Sequence, residues 1–152
     1  MGYTCRVCAL CIHIAASSIT LFSYQQQTAY MNNKQLRKYL LSRPEAYEDY
    51  PFGPDTTVYK VKNLMFALTY QEKKYLHINL KCEPREAIQL RDVFKSVLPG
   101  YHMNKSHWNT IILDGDVPDF ELERMIDNSY RLVVKKLKVS ERLGLELRNN
   151  LP

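Results

Sequence analysis

Acidic residues are missing from the first thirty positions of this 152-residue chain, and Arg6 is the single charged side chain there. Ion pairs therefore cannot organise that segment. A long hydrophobic run is missing too. The apolar stretch from Val7 to Phe22 is broken by His13, Ser17, Ser18 and Thr20, and falls short of the roughly 20 apolar residues a spanning helix needs. Cysteine is scarce beyond residue 11, where only Cys82 remains, which excludes a disulfide framework and points to a reducing compartment, the cytoplasm. Cys5-x-x-Cys8-x-x-Cys11 has iron–sulfur spacing but no fourth cysteine followed by proline. No Gly-x-Ser-x-Gly elbow and no glycine-rich phosphate loop occurs. His77, Cys82, His102 and His107 do not form the tight set of three or four ligands that zinc requires. The expectation is a protein without catalysis, cofactor, metal or membrane span.

What is present is ordinary for a folded domain: 45% hydrophobic and 24% charged residues, enough length for a proper core, and a formal charge of +5. That excess permits phosphate binding without requiring it. Residues 1–30 resemble a signal peptide only in part, through Arg6, the apolar middle and Ala15-Ala16-Ser17. The simpler expectation is an N-terminal extension outside the fold, with Met31 as the natural start and a single domain over 31–152.

From Met31 the elements can be read in order. Asn32 caps a helix over about Asn33 to Ser42, with Gln35 at the reciprocal capping-box position and Pro44 beyond the end. Residues 45–54 read as an ordered loop pinned by Tyr47, Tyr50 and Phe52. Three strands follow: Thr56 to Lys62, a second with Leu64, Phe66 and Leu68 on one face, and Tyr75 to Lys81 with Leu76, Ile78 and Leu80 inward. Lys62-Asn63 is a tight turn between the first two. Pro84 opens a second helix whose buried side is Ala87, Leu90, Phe94 and Val97, ended by Pro99-Gly100. The strand Asn109 to Leu113 comes next, then a third helix capped by Asp116 and lined by Leu122, Met125, Ile126, Val133, Val134 and Leu137. Leu143 to Leu147 adds an amphipathic turn or two. The predicted order is α-β-β-β-α-β-β-α, an α+β two-layer sandwich of about five antiparallel strands with helices on one face.

Several motifs carry a family resemblance: Tyr50-Pro51-Phe52-Gly53-Pro54, Phe66-Ala67-Leu68, Asn79-Leu80-Lys81, Gly100-Tyr101-His102-Met103-Asn104-Lys105-x-His107-Trp108, Leu113-Asp114-Gly115 and Ser129-Tyr130. Over about residues 31–147 the chain resembles the MmcQ/YjbR family of small bacterial proteins. The resemblance implies a frataxin-like or secretion-chaperone-like sandwich and DNA binding through a surface likened to a double wing. It implies no catalytic set. Many members carry lysine beside Phe-Ala, where this chain has Leu64 and Met65.

The segment His102 to Trp108 sets imidazoles, an amide, an ammonium group and the chain's tryptophan at the mouth of a strand, the usual arrangement of a binding loop. Lys60, Lys62, Lys81, Arg85 and Lys105 are the predicted basic strip; His102, Asn104 and His107 would reach phosphate or base edges, and Trp108 would stack on a base. The opposing reading makes Trp108 a core anchor, the lysines a solvated surface, and one loop imidazole a partner of backbone. DNA is the expected partner of a monomer. A protein-interaction module resembling a secretion chaperone is the alternative, and an enzyme built around His102, Asn104 and His107 is the third reading.

Overall fold

The computed structural model describes residues 31–149, so the expectations for residues 1–30 lie outside it. Helix α1 (Asn33–Leu41) starts as its capping box dictates: Gln35 N–H donates to Asn32 Oδ1 and Asn32 N–H to Gln35 Oε1, both at 2.9 Å. Strands β2 (Thr56–Val61) and β3 (Leu64–Glu72) form a hairpin whose two turn residues, Lys62 and Asn63, both have positive φ, 45° and 65°. Such a turn matches the twist of the flanking strands. Strand β4 (Tyr75–Lys81), helix α2 (Pro84–Val93), strand β6 (Trp108–Ile112) and helix α3 (Asp119–Val134) complete the predicted set.

Three short elements were not anticipated as such. The predicted loop contains an edge strand, β1 (Tyr47–Asp49), paired with β2. The second helix ends at Val93, and Val97 lies in strand β5 (Val97–Pro99), paired with β6. Leu90, Phe94 and Val97 have helical spacing, but Phe94 is extended and only pairing with β6 accounts for Val97. The C-terminal turns are a full helix, α4 (Val139–Asn149). Among the described residues the sheet therefore has six antiparallel strands in the order β1-β2-β3-β4-β6-β5, one more than expected. Asp116 does not cap α3, which begins after Pro118; its carboxylate accepts Ser96 N–H at 3.0 Å instead.

One irregularity decides how the sheet is used. Between β2 and β3 the register shifts at Tyr59/Lys60, so that Tyr59 pairs with Ala67 and Lys60 with Met65. Phe66 is the extra residue of this bulge. It packs on the helix side, edge-on to Tyr130 of α3 with centroids 5.4 Å apart, while Leu68 pairs with Val58 on the other side. Phe66 and Leu68 therefore do not share a face, contrary to simple alternation. Ser129 of α3 ties the helix to the strands there: its hydroxyl donates to Phe66 C=O and accepts Lys81 N–H at 2.8 Å. Against α1, α2 and α3 the sheet buries Tyr59, Val61, Phe66, Ile78, Leu80 and Ile111.

Candidate nucleic-acid interface

The sheet face away from the helices carries Val58 and Lys60 of β2, Met65, Leu68 and Tyr70 of β3, His77, Asn79 and Lys81 of β4, and Trp108 and Thr110 of β6. No described helix covers this face. Even so Val58, Leu68, His77, Asn79, Trp108 and Thr110 are buried. The cover is the loop between β5 and β6. Tyr101 N–H donates to Thr110 Oγ1 (2.9 Å), Thr110 O–H donates to Asn79 Oδ1 (2.7 Å), and Asn79 Nδ2–H donates back to Tyr101 C=O (3.3 Å). This closed triangle satisfies two buried polar side chains and fixes the loop to the sheet.

The rest of the loop is shaped by groups other than its imidazoles. Asn104 Oδ1 accepts Ser106 N–H and Asn104 C=O accepts His107 N–H, closing a local turn. Arg91, from the last turn of α2, bonds Asn109 Oδ1 at 2.7 Å, Trp108 C=O at 3.2 Å and Lys105 C=O. Among the described residues neither His102 nor His107 makes a side-chain hydrogen bond; the imidazole that meets backbone is His77, 3.2 Å from Tyr75 C=O. Gly100 is required where it stands. A Cβ there would lie 2.7 Å from Trp108 Cβ and 2.9 Å from Trp108 C=O, the acceptor of Gly100 N–H.

Each predicted contact residue can now be placed. Trp108 is 8% exposed and sits under Lys81, whose Nζ lies 5.0 Å from the ring centroid. It is an anchor at the start of β6, and its covered ring is not a free stacking platform as first drawn. Lys60 and Lys62 are engaged by acids, Lys60 with Asp49 and Lys62 with Glu45, each at 2.5 Å. Hydrogen bonding to Asp49 raises the Lys60 pKa, and the same bond lowers that of Asp49. Arg85 belongs to the first turn of α2 in the helical layer, apart from the open face. Lys105 and His107 are exposed at the loop tip.

Lys81 differs from Lys60 in its surroundings. Burial first, then the adjacent Lys136 ammonium, hold its amine below the ordinary lysine value. Within salt-bridge distance neither Lys81 nor Lys136 meets a carboxylate among the described residues. Lys136 is not among the predicted contacts; its run, Lys135-Lys136-x-Lys138, is the signal that could have found it. Also missed was a concavity of about 470 Å³ beside the loop, walled by Phe52, Met65, Leu68, Tyr70, Tyr101 and His102.

The buried Cys82 thiol is pushed up to about 11 by desolvation. Among the described residues no three His, Cys, Asp or Glu side chains gather as metal ligands. No described helix is long and apolar enough to cross a membrane.

A protein-family model described as YjbR matches residues 41–132. The chain is 31% identical over 112 residues to the Escherichia coli K12 protein named "Uncharacterized protein YjbR", spanning 74% of this chain and 95% of that one. It is 42% identical over 55 residues to YyaQ of Bacillus subtilis, spanning 36% and 46% of the two chains. Among solved structures it resembles a Deinococcus radiodurans protein, DR2400, whose domain is described as DUF419. There the TM-score is 0.72 and the identity 37%, over 81% of this chain and 91% of the other.

Proposed function

The chain belongs to the YjbR family, and for this member we propose DNA binding, mainly to phosphates and without catalysis, in the cytoplasm. The contact surface is the β4–β6 end of the open sheet face together with the loop tip. The observation that supports this most is the Lys81–Lys136 pair. Two ammonium groups held side by side, with no carboxylate at salt-bridge distance among the described residues, repel each other, and an anion between them relieves the cost. Lys105 and His107 on the neighbouring loop extend the site toward successive phosphates, and Lys135 and Lys138 flank Lys136 in sequence. Lys60 and Lys62 contribute little, since Asp49 and Glu45 already balance them.

The test is a fluorescence-anisotropy titration with labelled duplex DNA at several salt concentrations between about 50 and 200 mM. Affinity should fall steeply with salt, and Lys105→Ala should lower the slope of log K against log salt by about one unit. Salt-insensitive binding, or none at the lowest salt, removes the reading.

A second reading, a protein-interaction module resembling a secretion chaperone, is favoured by one observation. Val139, Leu143 and Leu147 recur every fourth residue along α4 and are all exposed, an apolar stripe of the kind that partners cover. Light scattering discriminates: concentration-dependent dimers abolished by Leu147→Lys support it, and a monomer at all concentrations opposes it.

A further inference from the structure

We propose that the concavity on the open sheet face receives one unpaired nucleobase, so that the favoured ligand is single-stranded nucleic acid; this deepens, and rests on, the phosphate-binding reading above. The cavity has about 470 Å³, within the range of sites that enclose small planar ligands. Its walls suit a base. Phe52 and Tyr101 stand 69% and 59% exposed at the mouth, and the His102 ring lies 4.0 Å from that of Tyr101, tilted by 58°. Tyr101 leans on Tyr70 at 6.4 Å between centroids, and Tyr70 stacks on His77 at 5.1 Å and 14°. Met65 and Leu68 supply the apolar floor.

The wall is also preorganised. The Tyr101 backbone is held on both sides by Thr110 and Asn79, and His102 is kept at φ 54°, in the left-handed region uncommon for residues other than glycine. An exposed aromatic ring on a fixed backbone loses little freedom on binding, which is what a stacking platform needs.

Charge fits the same occupant. Asn79, which lines the cavity, precedes Lys81 by two residues on β4, so the two side chains share the open sheet face. A strand that seats a base in the cavity therefore runs its phosphates past Lys81 and Lys136. A duplex keeps its bases stacked inside and would have to flip one out to reach these walls. An unpaired strand does not.

Anisotropy titrations at fixed salt compare an oligothymidine of about twelve residues, a duplex of equal length, and an abasic strand with the same phosphates and no bases. The oligothymidine should bind about tenfold or more tightly than either of the others. Tyr101→Ala and Phe52→Ala each remove exposed rings and leave the backbone triangle in place. Each should bring oligothymidine down to the abasic level while duplex affinity, salt slope and melting temperature stay as in wild type. Equal affinity for all three ligands overturns the base site and leaves phosphate binding standing. Binding to none of them overturns both.

Discussion

Two strands of one sheet face, β2 beside the edge and β4 in the interior, hold lysines in opposite states. On β2 and its turn, Lys60 and Lys62 sit against Asp49 and Glu45, so their charge is spent inside the molecule. On β4, Lys81 sits over the Trp108 ring and beside Lys136, with no carboxylate at salt-bridge distance among the described residues. In sequence the two are indistinguishable: both are lysines at alternating outward positions near the ends of strands. The edge strand β1 makes the difference, because it carries Asp49 into place beside β2, while β4 is an interior strand flanked by β3 and β6. A lysine count over a sheet face therefore overstates its positive potential, and only the unbalanced members are available to an outside anion.

The sharpest way to break this contrast is by charge removal. Lys81→Ala with Lys136→Ala should lower the salt slope of DNA binding by about two units, whereas Lys60→Ala with Lys62→Ala should leave it nearly unchanged. Equal losses from the two doubles would erase the distinction. Next in size is Asn79→Ala. It takes the donor from the Tyr101 carbonyl and the acceptor from the Thr110 hydroxyl, and should destabilise by about 1–3 kcal/mol in chemical denaturation. Loop-tip contacts would weaken with it, sharpening the claim that the loop is held by the sheet.

A smaller effect separates stability from binding. Lys81→Met removes an ammonium group that burial and Lys136 disfavour but loses its contact with the Trp108 ring. These effects oppose each other, and the unfolding free energy should stay within about 1 kcal/mol of wild type while DNA affinity falls. The smallest expected effect is on the paired side and depends on pH. Hydrogen bonds from Arg37 and from Lys60 hold the Glu48 and Asp49 carboxyls below their ordinary values of 4.5 and 3.8. Stability from such groups is present above those unfolded values and is lost as pH falls through the lower folded ones. Glu48→Gln with Asp49→Asn should therefore flatten the stability profile below about pH 4.5, read by thermal melts across an acid series.

Much of the fold was legible in the chain because local rules governed it. Asn32 and Gln35 set the start of α1, Lys62-Asn63 the hairpin turn, and the α3 line from Leu122 to Val134 its buried stripe. Where reading failed, non-local pairing had decided. Tyr47–Asp49 is a strand only because β2 lies beside it. Val97 follows helical spacing but joins β6. Leu68 was assigned to the wrong face because alternation assumes one residue per pleat, and the bulge at Phe66 inserts an extra one. The candidate site was legible as a segment, His102 to Trp108, but not in its roles. Asn104 turns the chain, Trp108 is covered, and the exposed ring at the cavity mouth is the preceding Tyr101.

Taken alone, the sequence determined the α+β class, most element positions, the family and the loop around which polar groups gather. All of these follow from short-range spacing, capping and turn chemistry. Which lysines keep their charge for a partner, and that Phe52, Met65, Tyr70 and Tyr101 enclose one cavity, came only with the folded sheet. Those outcomes depend on strand order, a register shift and acids brought in from distant segments, none of which is encoded in the periodicity of any single element.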